Sequence, residues 1–324
     1  MKIARQVILG AAIALAAFGQ ASAQDWPTRS VTVVVPIPAG VASDIIARAV
    51  FEQVGKQVGK QVGQTFVIEN RPGAGGTIGA NMVAKAEPDG HTILVYGSIA
   101  AANALYARLP YDTVADFTPV VPFGETPLVV VTAAGRYNTL AELLAAAKAK
   151  PGELNYSTVG IGSAAHFGAV RLAVSAGITA QHIPFKGPEW LADTIAGRVD
   201  FSVPPVTTVI GPIRDGKLKA LAVGAAKRAA SLPDVPTLIE AGLKADAIYP
   251  FYTGAYLPSK TPRSIVDKLH DEVTEALALS SVQERLAKIG VEKLPMTVAE
   301  FDKFFKDDVA TNLALVKAAK IPRQ

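Results

Sequence analysis

Val31-Thr32-Val33-Val34-Val35-Pro36-Ile37-Pro38-Ala39-Gly40-Val41-Ala42-Ser43-Asp44 carries the architecture in miniature. Its first five residues are β-branched with no polar alternation, the pattern of a strand buried on both faces. Pro36 closes the strand because it has no N–H to give a ladder. Pro38 to Ser43 are small enough to turn, and Asp44 opens a helix that runs on through Ile45, Ile46, Ala49 and Val50. Strand, small-residue loop and helix start in direct succession form the repeating unit of an α/β fold.

The unit recurs on the C-terminal side. Thr65–Glu69 reads as a strand, Asn70-Arg71-Pro72-Gly73-Ala74-Gly75-Gly76 as a loop and Ile78–Ala86 as a helix. Glu87-Pro88-Asp89-Gly90 is a turn before the strand Thr92–Tyr96. This βαβ rhythm predicts a parallel sheet. A second series starts with the strand Pro127–Thr132 and the helix Thr139–Ala149, ended by Lys150-Pro151-Gly152. Asn155-Tyr156-Ser157 then leads through Thr158-Val159-Gly160-Ile161-Gly162-Ser163 into a helix over Ala164–Ser175. His182–Phe185, a helix at Glu189–Ala196 and strands at Val199–Val203 and Lys219–Val223 continue it, and helices at Pro262–Leu279, Val282–Ile289 and Val298–Ala318 finish the chain. Two α/β series with a helical tail predict two lobes and a cleft. Val54-Gly55-Lys56-Gln57, Val58-Gly59-Lys60-Gln61, Val62-Gly63-Gln64 is a tandem repeat close to one helical turn, which keeps valines on one stripe and lengthens the first helix. Each internal glycine there costs about 1 kcal/mol against alanine.

On the N-terminal side, Met1-Lys2-Ile3-Ala4-Arg5 is basic, Val7–Phe18 apolar, and Ala21-Ser22-Ala23 precedes Gln24. That layout predicts a cleaved export signal over residues 1–23, its apolar run shorter than the ~20 residues of a membrane span. No cysteine follows, so a lipid anchor is not expected. The remaining roughly 300 residues favour two domains. Half the chain is hydrophobic and only 19% is charged, which speaks against disorder. The net charge of +4 falls to about +2 once Lys2 and Arg5 leave, too little to argue for nucleic acid. With no cysteine, thiol nucleophiles, Fe–S clusters and thiolate zinc sites are excluded. His91, His166, His182 and His270 are scattered, so neither a metal site nor a cofactor is expected. Asp307-Asp308 reads as part of a solvated helical face.

Chemistry concentrates in the two loops Pro36–Ser43 and Ser157–Ser163. A helix start presents unpaired N–H groups and partial positive charge, which favour an anion. Loops from two lobes facing each other would hold a carboxylate with amide and hydroxyl donors. Catalytic readings are weaker. Gly160-Ile161-Gly162-Ser163-Ala164-Ala165 matches a loose dinucleotide pattern but lacks the acidic residue ~20 positions on, where Gln181-His182-Ile183 stand. No G-x-S-x-G elbow exists, and Ser163 with His166 has no obvious orienting carboxylate.

Several segments together resemble the tripartite tricarboxylate transporter receptors, the Bug-type periplasmic solute-binding proteins of Gram-negative bacteria. They are Trp26-Pro27, Asp44-Ile45-Ile46-Ala47-Arg48, Glu69 to Ala80, Pro88-Asp89-Gly90, Asn155-Tyr156-Ser157, Gly160 to Ser163, Pro184-Phe185-Lys186-Gly187, Gly197-Arg198-Val199-Asp200, Gly216 to Val223 and Leu232-Pro233-Asp234-Val235-Pro236-Thr237. The resemblance implies a two-lobed, hinged α/β periplasmic-binding-protein fold of type II with a ligand cleft between the lobes. Lobe one is expected over 25–127 plus 251–324, and lobe two over 128–250. The implied ligand is a small organic carboxylate, passed in the periplasm to transporter membrane subunits by a monomeric receptor that is not an enzyme; apolar walls would suit an aromatic or aliphatic monocarboxylate or dicarboxylate. A sensor serving a signalling partner would share fold and pocket. Candidate ligand-binding residues are Pro38, Ala39, Gly40, Val41, Ala42, Ser43 and Asp44 in the first loop, and Ser157, Thr158, Gly160, Gly162, Ser163 and His166 around the second. Gly75, Ser98, Phe185 and Lys186 complete the set, and Val41, Phe185 and Trp190 are candidate apolar walls. This chain departs from the family's usual Pro-Phe-Ala-Pro-Gly-Gly-x-Thr-Asp loop by losing a glycine and exchanging the hydroxyl residue. Its extra Val-Gly-Lys-Gln unit is expected to lengthen the first helix away from the cleft.

Overall fold

The computed structural model describes residues 26–249, 251–318, 321 and 323. The export signal expected over residues 1–23 lies outside them. Two five-stranded sheets, each flanked by helices, organise the described residues.

In the first sheet β1 (Val31–Val35) leads into α1 (Ala42–Val62), β2 (Phe66–Asn70), α2 (Thr77–Ala84), β3 (Thr92–Tyr96), α3 (Ile99–Leu105) and β4 (Phe117–Thr126). The chain then enters the second sheet: β5 (Leu128–Ala133), α4 (Leu140–Ala149), β6 (Asn155–Thr158), α5 (Ala164–Ala176), β7 (Gln181–Pro184), α6 (Glu189–Ile195), β8 (Phe201–Ser202), α7 (Val206–Arg214) and β9 (Leu218–Gly224). It returns through β10 (Phe251–Pro258) and ends in α8 (Arg263–Ala278), α9 (Ser280–Lys288) and α10 (Val298–Ala318). Strand orders are β2-β1-β3-β10-β4 and β7-β6-β8-β5-β9.

The expected parallel pairing holds for β1 with β2 and β3, and for β6 with β7 and β8. The sheets as wholes are mixed. β10 lies antiparallel between β3 and β4, and β5 antiparallel to β8 and β9. The cause is the path of the chain, which leaves the first sheet at Pro127 and re-enters it at Phe251, running opposite to the strands it joins.

β1 is buried along nearly its whole length, as its composition requires. Behind the first sheet, Phe301 and Phe305 of α10 pack edge-on or tilted against Tyr252 and Tyr256 of β10. The repeat segment is helical to Val62, with Val54 and Val58 fully buried, and Gly63 at φ +69 allows the turn that follows. Asp308 departs from the solvated reading. Asp307 pairs outward with Lys303, but the Asp308 carboxylate turns inward to accept bonds from Tyr252 Oη (3.1 Å) and Asn312 Nδ2 (2.8 Å). Burial pushes its pKa up to about 6.

Candidate functional site

The starts of α1 and α5 line one small cavity of about 30 Å³. Ile37, Val41, Ala42 and Ser43 come from the first loop and helix, and Val159, Ser163, Ala164 and Ala165 from the second. Ser98, Trp190, Pro204, Pro205, Thr208 and Phe251 close it. The amides of Ala42 and Ser43, and those of Ala164 and Ala165, have no acceptor among the described residues. They are first-turn donors of helices of 21 and 13 residues, where the partial positive charge is greatest. No ionisable side chain lines the cavity among the described residues. The arrangement can hold an anion by dipoles and N–H groups alone.

Each helix start is held from behind. Asp44 Oδ2 accepts the Gly40 amide at 2.9 Å, and its carboxylate also takes bonds from Arg48 Nε (3.0 and 3.1 Å) and Asn70 Nδ2 (3.0 Å). Asn70 Nδ2 also bonds the Ile37 carbonyl (3.1 Å), and Arg48 returns to Asn70 Oδ1 (2.9 Å). Burial alone would raise the Asp44 pKa, but the bonds from Arg48, Gly40 and Asn70 outweigh it and leave the group below its ordinary value. Asp44 lies inside the first turn of α1, where it fastens the loop to the end of β2. This explains the Asn70 position of the glycine-rich segment: it is a brace for the first loop.

The second loop folds on its own hydroxyls. Ser163 is the N-cap of α5, donating to Gly160 O at 2.7 Å and accepting the His166 amide at 3.3 Å. Thr158 Oγ1 accepts from the Gly160 amide (3.0 Å) and bonds His182 Nε2 (2.6 Å). Ser157 is fully buried and meets Thr194 Oγ1 at 2.8 Å, behind the loop. His166 Nδ1 accepts the Gly162 amide (3.3 Å), and its ring stacks on His182 at 4.2 Å with Tyr156 alongside. Burial, aided by the His182 neighbour, brings His166 down to about 3, and burial brings His182 to about 4. Both rings are therefore neutral at physiological pH, with His166 Nδ1 taken by the Gly162 amide and the Ser163 hydroxyl donated to Gly160 O.

A third loop, the glycine-rich one after β2, meets the second loop through Gly75. At φ +61 it packs so tightly that a Cβ would overlap the Ile161 carbonyl oxygen. Tyr96 Oη donates to the Gly75 carbonyl, and Tyr106 Oη to that of Ile161 (3.2 Å). Of the residues expected at the site, Val41, Ala42, Ser43, Ser98 and Ser163 line the cavity. Pro38, Ala39 and Gly40 form the outer part of the loop, Ala39 and Gly40 exposed. Asp44, Ser157, Thr158 and His166 stand behind it, and Gly75, Gly160 and Gly162 shape the loop contact. Phe185 is half-buried and gives its amide to Thr158 O (2.8 Å), and Lys186 is exposed; neither lines the cavity. Ile37, Ala164, Ala165, Pro204, Pro205, Thr208 and Phe251 were not legible as site residues. Ile37 had a signal in its place within the Pro36–Ser43 loop, and Ala164 and Ala165 in theirs in a helix's first turn; the others had none.

A larger cleft of about 560 Å³ lies among β4, α8, α9 and the segment before α10. Its walls are mainly apolar, including Phe123, Leu277 and Leu286, and the acidic residues Glu292 and Glu300 are part of its lining. The smaller cavity is the better candidate because loops and helix starts from both sheets converge on it and no acidic side chain lines it among the described residues.

Residues 50–321 match the family described as tripartite tricarboxylate transporter family receptor. A Pseudomonas sp. (strain P51) protein encoded in the tcbD-tcbE intergenic region is 37% identical over 294 residues, covering 89% of this chain and 86% of its own. BugT of Bordetella pertussis is 31% identical, covering 89% and 88%. Among solved structures, MatC from Rhodopseudomonas palustris with bound malate superposes with a TM-score of 0.84 at 32% identity, over 90% of this chain and 100% of that one. R. palustris Rpa4515 with adipate gives 0.85 at 30% identity, over 93% and 100%.

Proposed function

The chain belongs to the tripartite tricarboxylate transporter receptor family, and from that premise we propose that it captures a small organic carboxylate in the periplasm and delivers it to the membrane subunits of such a transporter. The observation that carries this reading is the convergence of two helix starts, one from each sheet, on a cavity where four amides have no acceptor among the described residues. Malate and adipate in the related structures are acids of the same chemical class. In this reading lobe one comprises 25–127 with 251–324, lobe two comprises 128–250, and the receptor acts as a monomer after export. Ala42, Ser43, Ala164 and Ala165 hold the carboxylate, with Ser98 and Ser163 beside it. Asp44, Asn70, Thr158 and His166 keep the two loops in shape. Binding without chemistry fits Ser163 and His166, whose polar atoms serve the α5 cap and the Gly162 amide.

A thermal-shift screen of the mature chain against mono-, di- and tricarboxylates, with amines and neutral sugars as controls, tests the proposal. Acids that bind should raise the melting temperature, by an apparent stabilisation of ~2.7 kcal/mol at a hundredfold excess over Kd. If no acid shifts the melt and calorimetry detects none binding, the receptor reading is wrong.

A further inference from the structure

The tip of the second loop, Gly160-Ile161-Gly162, is held from two different sides. The Gly160 amide goes to Thr158 Oγ1 and the Gly162 amide to His166 Nδ1, both on the second-sheet side. The Ile161 carbonyl between them accepts a hydrogen bond from one donor among the described residues, Tyr106 Oη at 3.2 Å. Tyr106 closes the C-terminal end of α3, which follows β3 of the first sheet. The same helix end lies so near that a Cβ on Gly162 would stand 2.9 Å from the Tyr106 ring and 3.1 Å from Ala102 Cα. On the other flank Gly75 packs against the Ile161 carbonyl oxygen itself. Bringing Gly75 there takes an unbroken run of positive φ from Gly73 to Gly76, with Ala74 at +46. Residues with a Cβ rarely adopt that conformation, and it persists only where the surroundings enforce it. Tyr96 Oη, donating to the Gly75 carbonyl, is part of that enforcement. The carbonyl so gripped lies just ahead of Ser163, the N-cap of α5, whose first-turn residues Ala164 and Ala165 line the cavity.

Building on the receptor reading above, we propose that Tyr106 is a positioning residue for the ligand: with Gly75 it forms a clasp from lobe one that grips the Ile161 carbonyl of lobe two, keeps the start of α5 opposite the start of α1, and is made only while the lobes are closed. Tyr106 does not line the cavity and acts through Ile161. A contact present in the closed form and absent from the open one shifts the balance between them by its own free energy, so it is felt in ligand affinity. The open form, which takes up the ligand, lacks the contact. Its effect therefore falls on release and not on capture.

Tyr106→Phe removes the hydroxyl and leaves the ring against Gly162, so the mature chain should fold as before. Hydrogen exchange followed by mass spectrometry reads the clasp without any ligand. Amides of residues 160–166 should exchange roughly threefold faster in the variant, while those of α3 stay as in wild type. Faster exchange confined to α3 would reduce Tyr106 to a local prop, and unchanged exchange in both segments would remove the clasp. Stopped-flow binding of malate, adipate and benzoate, following Trp190 fluorescence, then reads the consequence. For each acid that wild type binds, the variant should release it about fivefold faster, the weight of one hydrogen bond, with the association rate unaltered. A slowed association with unaltered release overturns the inference and leaves the receptor reading standing. If exchange shifts as expected but no acid of the wider screen binds wild type, the clasp stands and the receptor reading fails.

Discussion

Ser163 shows how one residue type in one loop admits two readings. A serine between strand and helix serves equally as a ligand donor or a cap, and only its partners distinguish them. Here the hydroxyl is committed to Gly160 O and the His166 amide. Ser163→Ala is therefore expected to lower stability by about 1 kcal/mol in urea denaturation, the usual weight of an N-cap. An unaltered midpoint would contradict the cap. Asp44 poses the same question with charge. Its bonds to Arg48, Asn70 and the Gly40 amide all lie within the first-loop region. Asp44→Asn keeps the shape but gives up charge-assisted bonds, so a loss of about 2 kcal/mol is expected. Differential scanning calorimetry of the unliganded protein checks this, and a melt within a degree of wild type would rule the anchoring role out. That Asp44 begins a helix was legible from its position. That it braces a loop was not, because Asn70 becomes its neighbour only when β2 lies beside β1; Arg48, one helical turn on, is a neighbour by helix geometry alone.

Among the elements, the strand-loop-helix units read well because period and turn residues agree locally. β1, β3, α4 and α10 fall within a residue or two of expectation. β4 and β10 did not emerge. β10 is buried at every position and so has no alternation, and Pro119 and Pro122 interrupt β4, whose pairing with β10 is irregular there. α7 was hidden by Pro204-Pro205 before it and Pro212 within it. The His166–His182 stack is a contact between α5 and β7 that no local pattern announces. Its pH consequence has a definite sign. Above about pH 6.5 both rings are neutral, folded or unfolded, and contribute nothing. Below it the unfolded chain takes up protons that the folded rings, at about 3 and 4, refuse, so stability falls. For His166 the loss between pH 7 and pH 5 is on the order of 2 kcal/mol. Asp308, raised to about 6, gains its proton in the folded state over the same range and offsets about 1 kcal/mol of that. Denaturation midpoints at pH 7, 6 and 5 should therefore decline, more steeply in Asp308→Asn and less steeply in His182→Phe. If both variants track wild type, neither group sets the acid response.

At the scale of the whole molecule, two chain crossings, at Pro127 and before Phe251, join the sheets, and the remaining loop contacts meet face to face. The cavity is small, about 30 Å³, so an acid of several carbons is expected to enter as the loops part and then close on it. Small-angle scattering should give a smaller radius of gyration at saturating acid than without it. Identical profiles, with binding confirmed by calorimetry, would show a preformed site. Gly75→Ala separates closure from capture: its methyl group meets the Ile161 carbonyl, so the variant should fold normally, bind at least tenfold more weakly and lose the contraction. Full affinity in that variant would mean that the Gly75 contact is incidental to binding. The absence of ionisable side chains around the cavity, among the described residues, has a further consequence, for the medium in which the protein works. Dissolved ions weaken attraction between exposed charges within a Debye length of about 10 Å at 0.1 M salt, but they cannot reach amide dipoles sealed between two loops. In the proposed reading affinity is set by shape and buried dipoles, so it is expected to hold steady as the salinity around the protein rises and falls, where a receptor relying on surface arginines would gain and lose its ligand.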